Sequence, residues 1–232
     1  MANIAIITAR GGSKRIPRKN IRDFLGKPII AYSIQAALES NLFDEVMVST
    51  DDKEIADIAI ACGAKVPFLR SEKTSDDYAT TADVLEEVLL EYRKIGKNFE
   101  WLCCLYPTAP FVTGKRFAEC MDKIKASGAD GLIPVVKFSY PPQRAFIIDA
   151  AGELKFKYQE NINTRSQDLE SFYHDAGQFY FARADKFLAS KSLLFKNTIP
   201  YVLDEMYVQD IDNLDDWQMA EFKYSFLQND RN

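Results

Sequence analysis

The sequence predicts an α/β fold, a parallel sheet with helices on both faces. Two patterns predict it: short β-branched apolar runs too brief for a helix, and intervening segments whose apolar residues repeat every three or four positions. An ordinary globular composition agrees, with 47% hydrophobic and 27% charged residues in a chain of 232. At roughly 150 residues per domain that length is about one and a half domains, enough for a core without disulfide staples.

The elements follow in order. Ile4-Ala5-Ile6-Ile7 reads as the first strand. Pro28 stands where it can begin a helix whose apolar stripe is Ile29, Ile30, Ile34 and Leu38. Val46-Met47-Val48 is the next strand, and Asp51 and Asp52 favour the start of a helix with Ile55, Ile58 and Ala59 inward. Val66-Pro67-Phe68-Leu69 reads as a third short extended piece. An amphipathic helix spans 79–95, with Val84, Leu85, Val88, Leu89 and Tyr92 on one face. A strand at 101–106, a helix near 115–126 and a strand at 132–136 continue the alternation.

Helical periodicity then lapses over 138–173. Residues 145–149 and 154–158 flank Ala150-Ala151-Gly152, a hairpin turn. Leu154, Phe156 and Tyr158 alternate with Lys155 and Lys157, the pattern of a half-buried strand. Either a symmetric partner subunit or the parent domain would cover such a face. The chain is therefore read as one α/β domain over 1–137 and 174–232 with an inserted hairpin extension at 138–173. Residues 177–182 and 206–211 read as strands, and a closing helix from about 213 carries Leu214, Trp217, Ala220, Tyr224 and Leu227.

Composition excludes several functions. A net charge of -5 and a pI near 5.1 argue against a general nucleic-acid binder, which needs an excess of Lys and Arg. No apolar run reaches the roughly 18 residues of a membrane span, and the N-terminal run is too short for a signal peptide. Cys62, Cys103, Cys104 and Cys120 form no CxxC pair, which fits inert thiols in a reducing cytoplasm, and with one histidine a zinc site is not expected.

The most informative stretch, Ala9-Arg10-Gly11-Gly12-Ser13-Lys14-Arg15-Ile16-Pro17-Arg18-Lys19-Asn20, directly follows the first strand. It carries five basic residues, Arg10, Lys14, Arg15, Arg18 and Lys19, in an acidic protein. Its two glycines allow backbone N–H groups to approach an anion, so the local excess points to a polyphosphate ligand. The better-known loops do not fit: around Gly26-Lys27 the Walker pattern has Ile21 first and Pro28 last, and Gly11-Gly12-Ser13-Lys14 lacks the GxGxxG fingerprint of nicotinamide enzymes.

Ala9-Arg10-Gly11-Gly12-Ser13-Lys14 with Lys19-Asn20, then Leu25-Gly26-Lys27-Pro28, resembles the sugar-activating nucleotidyltransferases, and among them the CMP–sialic acid synthetase (acylneuraminate cytidylyltransferase) family. Val48-Ser49-Thr50-Asp51, Arg70 with Ser75-Asp76, Pro107-Thr108-Ala109-Pro110 and Asp210-Ile211-Asp212 extend the likeness from residue 4 to about 224. Sialic acid enzymes carry Gln where Tyr106 stands. That departure, and the run from Tyr173 to Tyr180, are more similar to the pseudaminic acid branch of the family, which serves flagellin glycosylation. The resemblance implies a Rossmann-like three-layer sandwich of the nucleotide-diphospho-sugar transferase type, with the insertion as a dimerisation extension and a second copy of the chain, in a homodimer, as partner.

It also implies a reaction. CMP passes from CTP to the anomeric hydroxyl of a nine-carbon 2-keto sugar acid, releasing pyrophosphate, with Mg²⁺ or Mn²⁺ as cofactor. Arg10, Lys14, Lys19 and the N–H groups from Gly11 to Ser13 would bind the triphosphate. Asn20, Arg70, Ser75 and Asp76 would contact the rest of the nucleotide. Asp210 and Asp212 would hold the metal: two apart on a strand, they would face one way, as Mg²⁺ coordination by one or two carboxylates requires. The competing assignment for Asp212 is a cap of the last helix, whereas Asp215 and Asp216 are first-turn acids. For the sugar carboxylate, Arg165 is the candidate cation, with Tyr106, Gln167 and Gln178 as the pocket wall and His174 as an optional base. A sialic acid or eight-carbon enzyme, and a non-catalytic nucleotide-binding module, are the alternatives.

Overall fold

The computed structural model describes residues 2–76 and 78–229; Met1, Asp77 and Asp230–Asn232 lie outside the described residues. A seven-stranded sheet forms the centre. Its members are β1 (Asn3–Thr8), β4 (Glu45–Ser49), β5 (Trp101–Leu105), β6 (Gly131–Lys137), β9 (Tyr173–Asp175), β10 (Phe179–Arg183) and β11 (Thr198–Leu203), in the order β11-β6-β10-β5-β1-β4 with β9 also on β6. Two short ribbons, β2 (Asp23–Phe24) with β3 (Lys27–Pro28) and β7 (Phe146–Ile148) with β8 (Leu154–Phe156), lie off the sheet.

The helices are α1 (Ile29–Glu39), α2 (Lys53–Ala61), α3 (Glu72–Ser75), α4 (Thr81–Lys94), α5 (Gly114–Ser127), α6 (Ala184–Ser190) and α7 (Leu214–Asn229). Alternate residues of β1 divide between two cores: Ala5 and Ile7 pack with α1, α2 and α5, while Ile4 and Ile6 pack with α4 and α6. The period of two thus gives three layers. A third cluster joins Ile16 of the loop after β1 to Phe24, Ile29, Phe111 and the α7 residues Trp217 and Ala220.

The sheet is mixed, not parallel throughout. β4, β1 and β5 are parallel, but β10 runs antiparallel to both β5 and β6. Residues 66–69 form no strand; the neighbouring Lys65 makes an isolated bridge to Met47, while Val66 and Phe68 pack against the cores. Pro67 removes one ladder donor there. Nor do residues 206–211 form a strand: Glu205–Tyr207 is a 3₁₀ turn and the chain beyond is irregular up to α7. β11 carries no clear strand signal in the sequence, since Pro200 interrupts its pattern. Proline is tolerated on an edge strand, and β11 is the edge. Leu38 and Leu214, expected inward, are exposed.

The stretch 138–173 contributes β7 and β8 outside the sheet. Its expected half-buried face is open in the single chain: Phe146, Ile148 and Leu154 are 52%, 74% and 65% exposed. The turn is where the sequence placed it, with Gly152 at φ 82° and the Asp149 carboxylate accepting from the Ala151 and Glu153 N–H groups. Among the described residues no helix is long and apolar enough to cross a membrane.

Candidate active site

The loop after β1 opens over the C-terminal ends of β1 and β5, where α/β sheets bind ligands. Its course is set by buried groups. The Ala9 N–H donates to the Ser49 carbonyl at 3.0 Å, and the buried Asn20 amide donates to the Arg10 carbonyl at 2.9 Å. Ile16 is buried in the third core cluster. A Cβ at Gly11 would lie 2.8 Å from Asp52 Oδ2 and 3.0 Å from its Cβ, so a larger residue there would displace the Asp52 side chain. Its N–H, expected to face phosphate, instead donates to Asp51 Oδ1 at 2.9 Å. Gly12 faces open space.

A cleft of about 550 Å³ lies against this loop. Arg10, Ser13, Lys14, Arg15, Lys19 and Asn20 of the loop line it together with Arg70, Thr74, Asp76, Ala79, Thr81 and Val84, with Tyr106, Pro107 and Thr108 after β5, and with Gly177, Gln209 and Asp210. So nine residues predicted from sequence, Arg10, Ser13, Lys14, Lys19, Asn20, Arg70, Asp76, Tyr106 and Asp210, share one cavity.

The charges within it are arranged by their partners. The Lys19 ammonium donates to the Ile211 carbonyl at 2.7 Å. Burial pushes its pKa down, while Asp212 and Asp210 push it back up. Arg70 donates to Ser49 Oγ at 3.1 Å and to the Ser49 carbonyl at 2.7 Å, leaving its guanidinium fixed beside the cleft. Arg18, which does not line the cleft, donates to both Asp52 carboxylate oxygens and to Glu54. Burial raises the Tyr106 phenol, which keeps its proton and remains a donor.

Asp212 does not cap α7. Asn213 Oδ1 accepts from the Asp216 N–H at 3.0 Å, and Asp216 Oδ2 accepts from the Asn213 and Asp212 N–H groups at 3.0 Å each. This is a reciprocal capping box, so the side chain of Asp212 is spared. It pairs with Arg15 at 2.7 Å. The two acids come together around Lys19 through an irregular turn, not through the strand the sequence suggested.

Other predicted residues stand apart from the cavity. Ser75 Oγ donates to the Ser71 carbonyl and does not line the cleft, whereas Asp76 lines it with its carboxylate turned to accept from the Tyr78 and Ala79 N–H groups. Arg165 is exposed on the insertion and pairs with Asp168 at 2.7 Å, and Gln167 is exposed beside it. Gln178 is buried, its amide donating to the Tyr207 carbonyl at 2.6 Å. His174 lies against Phe138 and lines a smaller hollow of about 270 Å³ that shares Gly177, Gln209 and Asp210 with the main cleft. Sequence reasoning missed Thr74, Ala79, Thr81, Val84 and Gln209. The first four arrive only through the docking of α3 and α4 and carry no local signal; Gln209 adjoins the quoted Asp210.

The family described as cytidylyltransferase matches residues 4–220. The chain belongs to the cytidylyltransferase family. The pseudaminic acid cytidylyltransferase of Campylobacter jejuni is 41% identical over 97% of each chain. A CMP-N,N'-diacetyllegionaminic acid synthase of Legionella pneumophila is 34% identical over 95% of each. Among solved structures, a CMP:2-keto-3-deoxy-manno-octonic acid synthetase complexed with CTP has a TM-score of 0.68 at 18% identity, covering 99% of this chain and 100% of that one. That likeness shows the nucleotidyltransferase fold. This cytidylyltransferase thus pairs a basic loop after its first strand with an acidic turn near its C-terminus.

Proposed function

We propose that this cytidylyltransferase transfers CMP from CTP to the anomeric hydroxyl of pseudaminic acid. The observation that carries the reading is a single cleft joining the basic loop, Arg70, Tyr106 and Asp210, in a chain 41% identical to a pseudaminic acid cytidylyltransferase. The anomeric oxygen attacks the α-phosphorus; the bond from that phosphorus to the β-phosphate bridging oxygen breaks, pyrophosphate leaves, and the hydroxyl proton passes to solvent. Charge on the departing pyrophosphate and on the α-phosphate falls to Arg10, Lys14 and Lys19, which act by holding the reactants in line and neutralising them. Arg15 and Arg70 stand within reach of the same space. Tyr106, Thr108, Gly177 and Gln209 would form the sugar side of the cleft.

Mg²⁺ is part of the proposal. Among the described residues no group of three or more His, Cys, Asp or Glu could hold a metal ion. That fits an ion that takes one or two carboxylates and draws its other ligands from water and phosphate. Asp210 and Asp212 would hold it, and when bound it would neutralise the triphosphate and the α-phosphate oxygens.

A homodimer completes the reading. The uncovered apolar face of Phe146, Ile148 and Leu154 suits a second copy of the chain. Arg165, exposed on the same insertion, would reach a sugar carboxylate in the partner's cleft rather than its own. Flagellin glycan synthesis in the cytoplasm is the setting we infer; a Campylobacter coli relative, 31% identical, bears the name post-translational flagellin modification protein B.

The test is a panel of sugar acids with CTP and Mg²⁺. Pseudaminic acid should give the highest kcat/KM, ahead of legionaminic, N-acetylneuraminic and eight-carbon keto-sugar acids. A preference for N-acetylneuraminic acid would overturn the assignment of the sugar.

A further inference from the structure

The turn that carries Asp210 has almost no backbone partners of its own. From Glu205 to Asp212 the chain leaves the sheet; among the described residues its own bonds include Tyr207 N–H to the Asp204 carbonyl at 3.0 Å, Val208 N–H to the Glu205 carbonyl at 3.2 Å and the Gln209 amide to the Asp210 carbonyl at 3.2 Å. Its carbonyls are instead held by side chains from three separate elements. Lys223 of α7 donates to the Glu205 carbonyl at 3.1 Å and to the Val208 carbonyl at 2.8 Å. Gln178, the residue before β10, donates to the Tyr207 carbonyl at 2.6 Å. Lys19 donates to the Ile211 carbonyl at 2.7 Å. The Arg116 guanidinium lies 4.1 Å over the Tyr207 ring.

Neither Lys223 nor Gln178 is needed to dock the element it belongs to. Helix α7 is anchored by Trp217 and Ala220, with the Trp217 ring 5.6 Å from Phe24 in edge contact. Strand β10 is held by its ladders to β5 and β6. What the two side chains fix is the turn between them. Buried Val208 and Ile211 anchor the two sides of Asp210, and the bonds to the carbonyls set the course of the chain between them; misplacement by about an ångström is costly in an in-line displacement.

We propose that Lys223 and Gln178 are positioning residues that hold the Asp210 turn against the cleft. The proposal rests on the catalytic reading of Asp210 given above. It assigns Lys223 to backbone carbonyls and not to the sugar, although its side chain borders the smaller hollow. Loss of such an outer support should cost about 10- to 100-fold in metal affinity or turnover, the range seen for groups that orient ligands from behind.

The experiment compares Lys223→Met, Lys223→Arg, Gln178→Met and Asp210→Ala in the full chain. It measures kcat and KM for CTP, and Mn²⁺ binding to the CTP complex without sugar by electron paramagnetic resonance. Lys223→Met should lower kcat and weaken Mn²⁺ binding about 10-fold or more with KM for CTP within about twofold. Lys223→Arg should restore most of both, and Gln178→Met should reproduce the pattern independently. Unchanged kcat and Mn²⁺ affinity in Lys223→Met and Gln178→Met, with Asp210→Ala inactive, would overturn the positioning role alone. The same holds if kcat and KM for CTP deteriorate together with the melting temperature. Full turnover by Asp210→Ala would overturn the catalytic reading and this proposal with it.

Discussion

The loop after β1 and the insertion at 138–173 are both irregular, yet they are held in opposite ways. The loop buries Ala9, Ile16 and Asn20 and is pinned by bonds to Ser49 and within itself. The insertion is tied by a few polar contacts, such as Gln143 to the Glu170 carbonyl and Arg144 to the Thr164 carbonyl, while Phe146, Ile148 and Leu154 face outward. Burial within the domain fixes a cleft whose charges must stand still. An apolar face left unburied is available to another surface.

The sharpest way to break this contrast is a pair of truncations. Ile16→Ala removes a fully buried side chain and should cost about 2–5 kcal/mol of unfolding free energy, whereas Ile148→Ala should cost under about 0.5 kcal/mol in the monomer. Denaturant titration at low protein concentration measures both. Equal losses would mean that the insertion is packed by its own chain.

Next in size is Lys19→Met. Its ammonium joins the basic loop to the acidic turn, and hydrogen bonds to charged groups are worth about 1.5–3 kcal/mol, so kcat/KM for CTP should fall roughly 10- to 100-fold. Steady-state kinetics beside Arg18→Met sharpens the point, because Arg18 is committed to Asp52 and Glu54 and its loss should leave kcat/KM within about threefold.

Arg18→Met should act on stability instead. The Arg18 guanidinium holds Asp52 down to about 2 from an ordinary value of 3.8. A depressed carboxylate stabilises the fold above its unfolded value, and this contribution is lost as pH falls from 3.8 toward about 2. At neutral pH the substitution should cost on the order of 1 kcal/mol, discounted for the part-exposed Arg18, and the difference should close below pH 4 in thermal melts. A pH-independent difference would point to packing instead.

The smallest effect belongs to the hairpin surface. Leu154→Asp should leave the melting curve of dilute protein unchanged within about 0.5 kcal/mol and lower the sedimentation coefficient at high concentration. An unchanged coefficient would leave the apolar face without a partner copy.

Much of this was legible in the sequence where local chemistry decides. The runs 4–7, 46–48 and 101–106 became strands because β-branched and apolar residues buried on both sides admit little else. The basic loop was legible because charge of one sign next to two glycines has few other uses. The antiparallel course of β10 was not, since direction depends on a long return connection rather than on residue pattern. Asp210 and Asp212 were chosen for their spacing, but they meet around Lys19 because side chains from three elements fold the turn. Arg165 carried no signal of distance from the cleft, which only the path of the insertion determines.

Sugar-dependent release of pyrophosphate from CTP is the proposed reaction, with Asp210 of the acidic turn as its proposed metal ligand. Pyrophosphate measured with CTP, Mg²⁺ and pseudaminic acid should appear one for one with CMP-sugar and only when sugar is present, and its rate should fall at least about 100-fold in Asp210→Ala. CTP bound without sugar-dependent pyrophosphate, or an Asp210→Ala variant as fast as the natural chain, would contradict it.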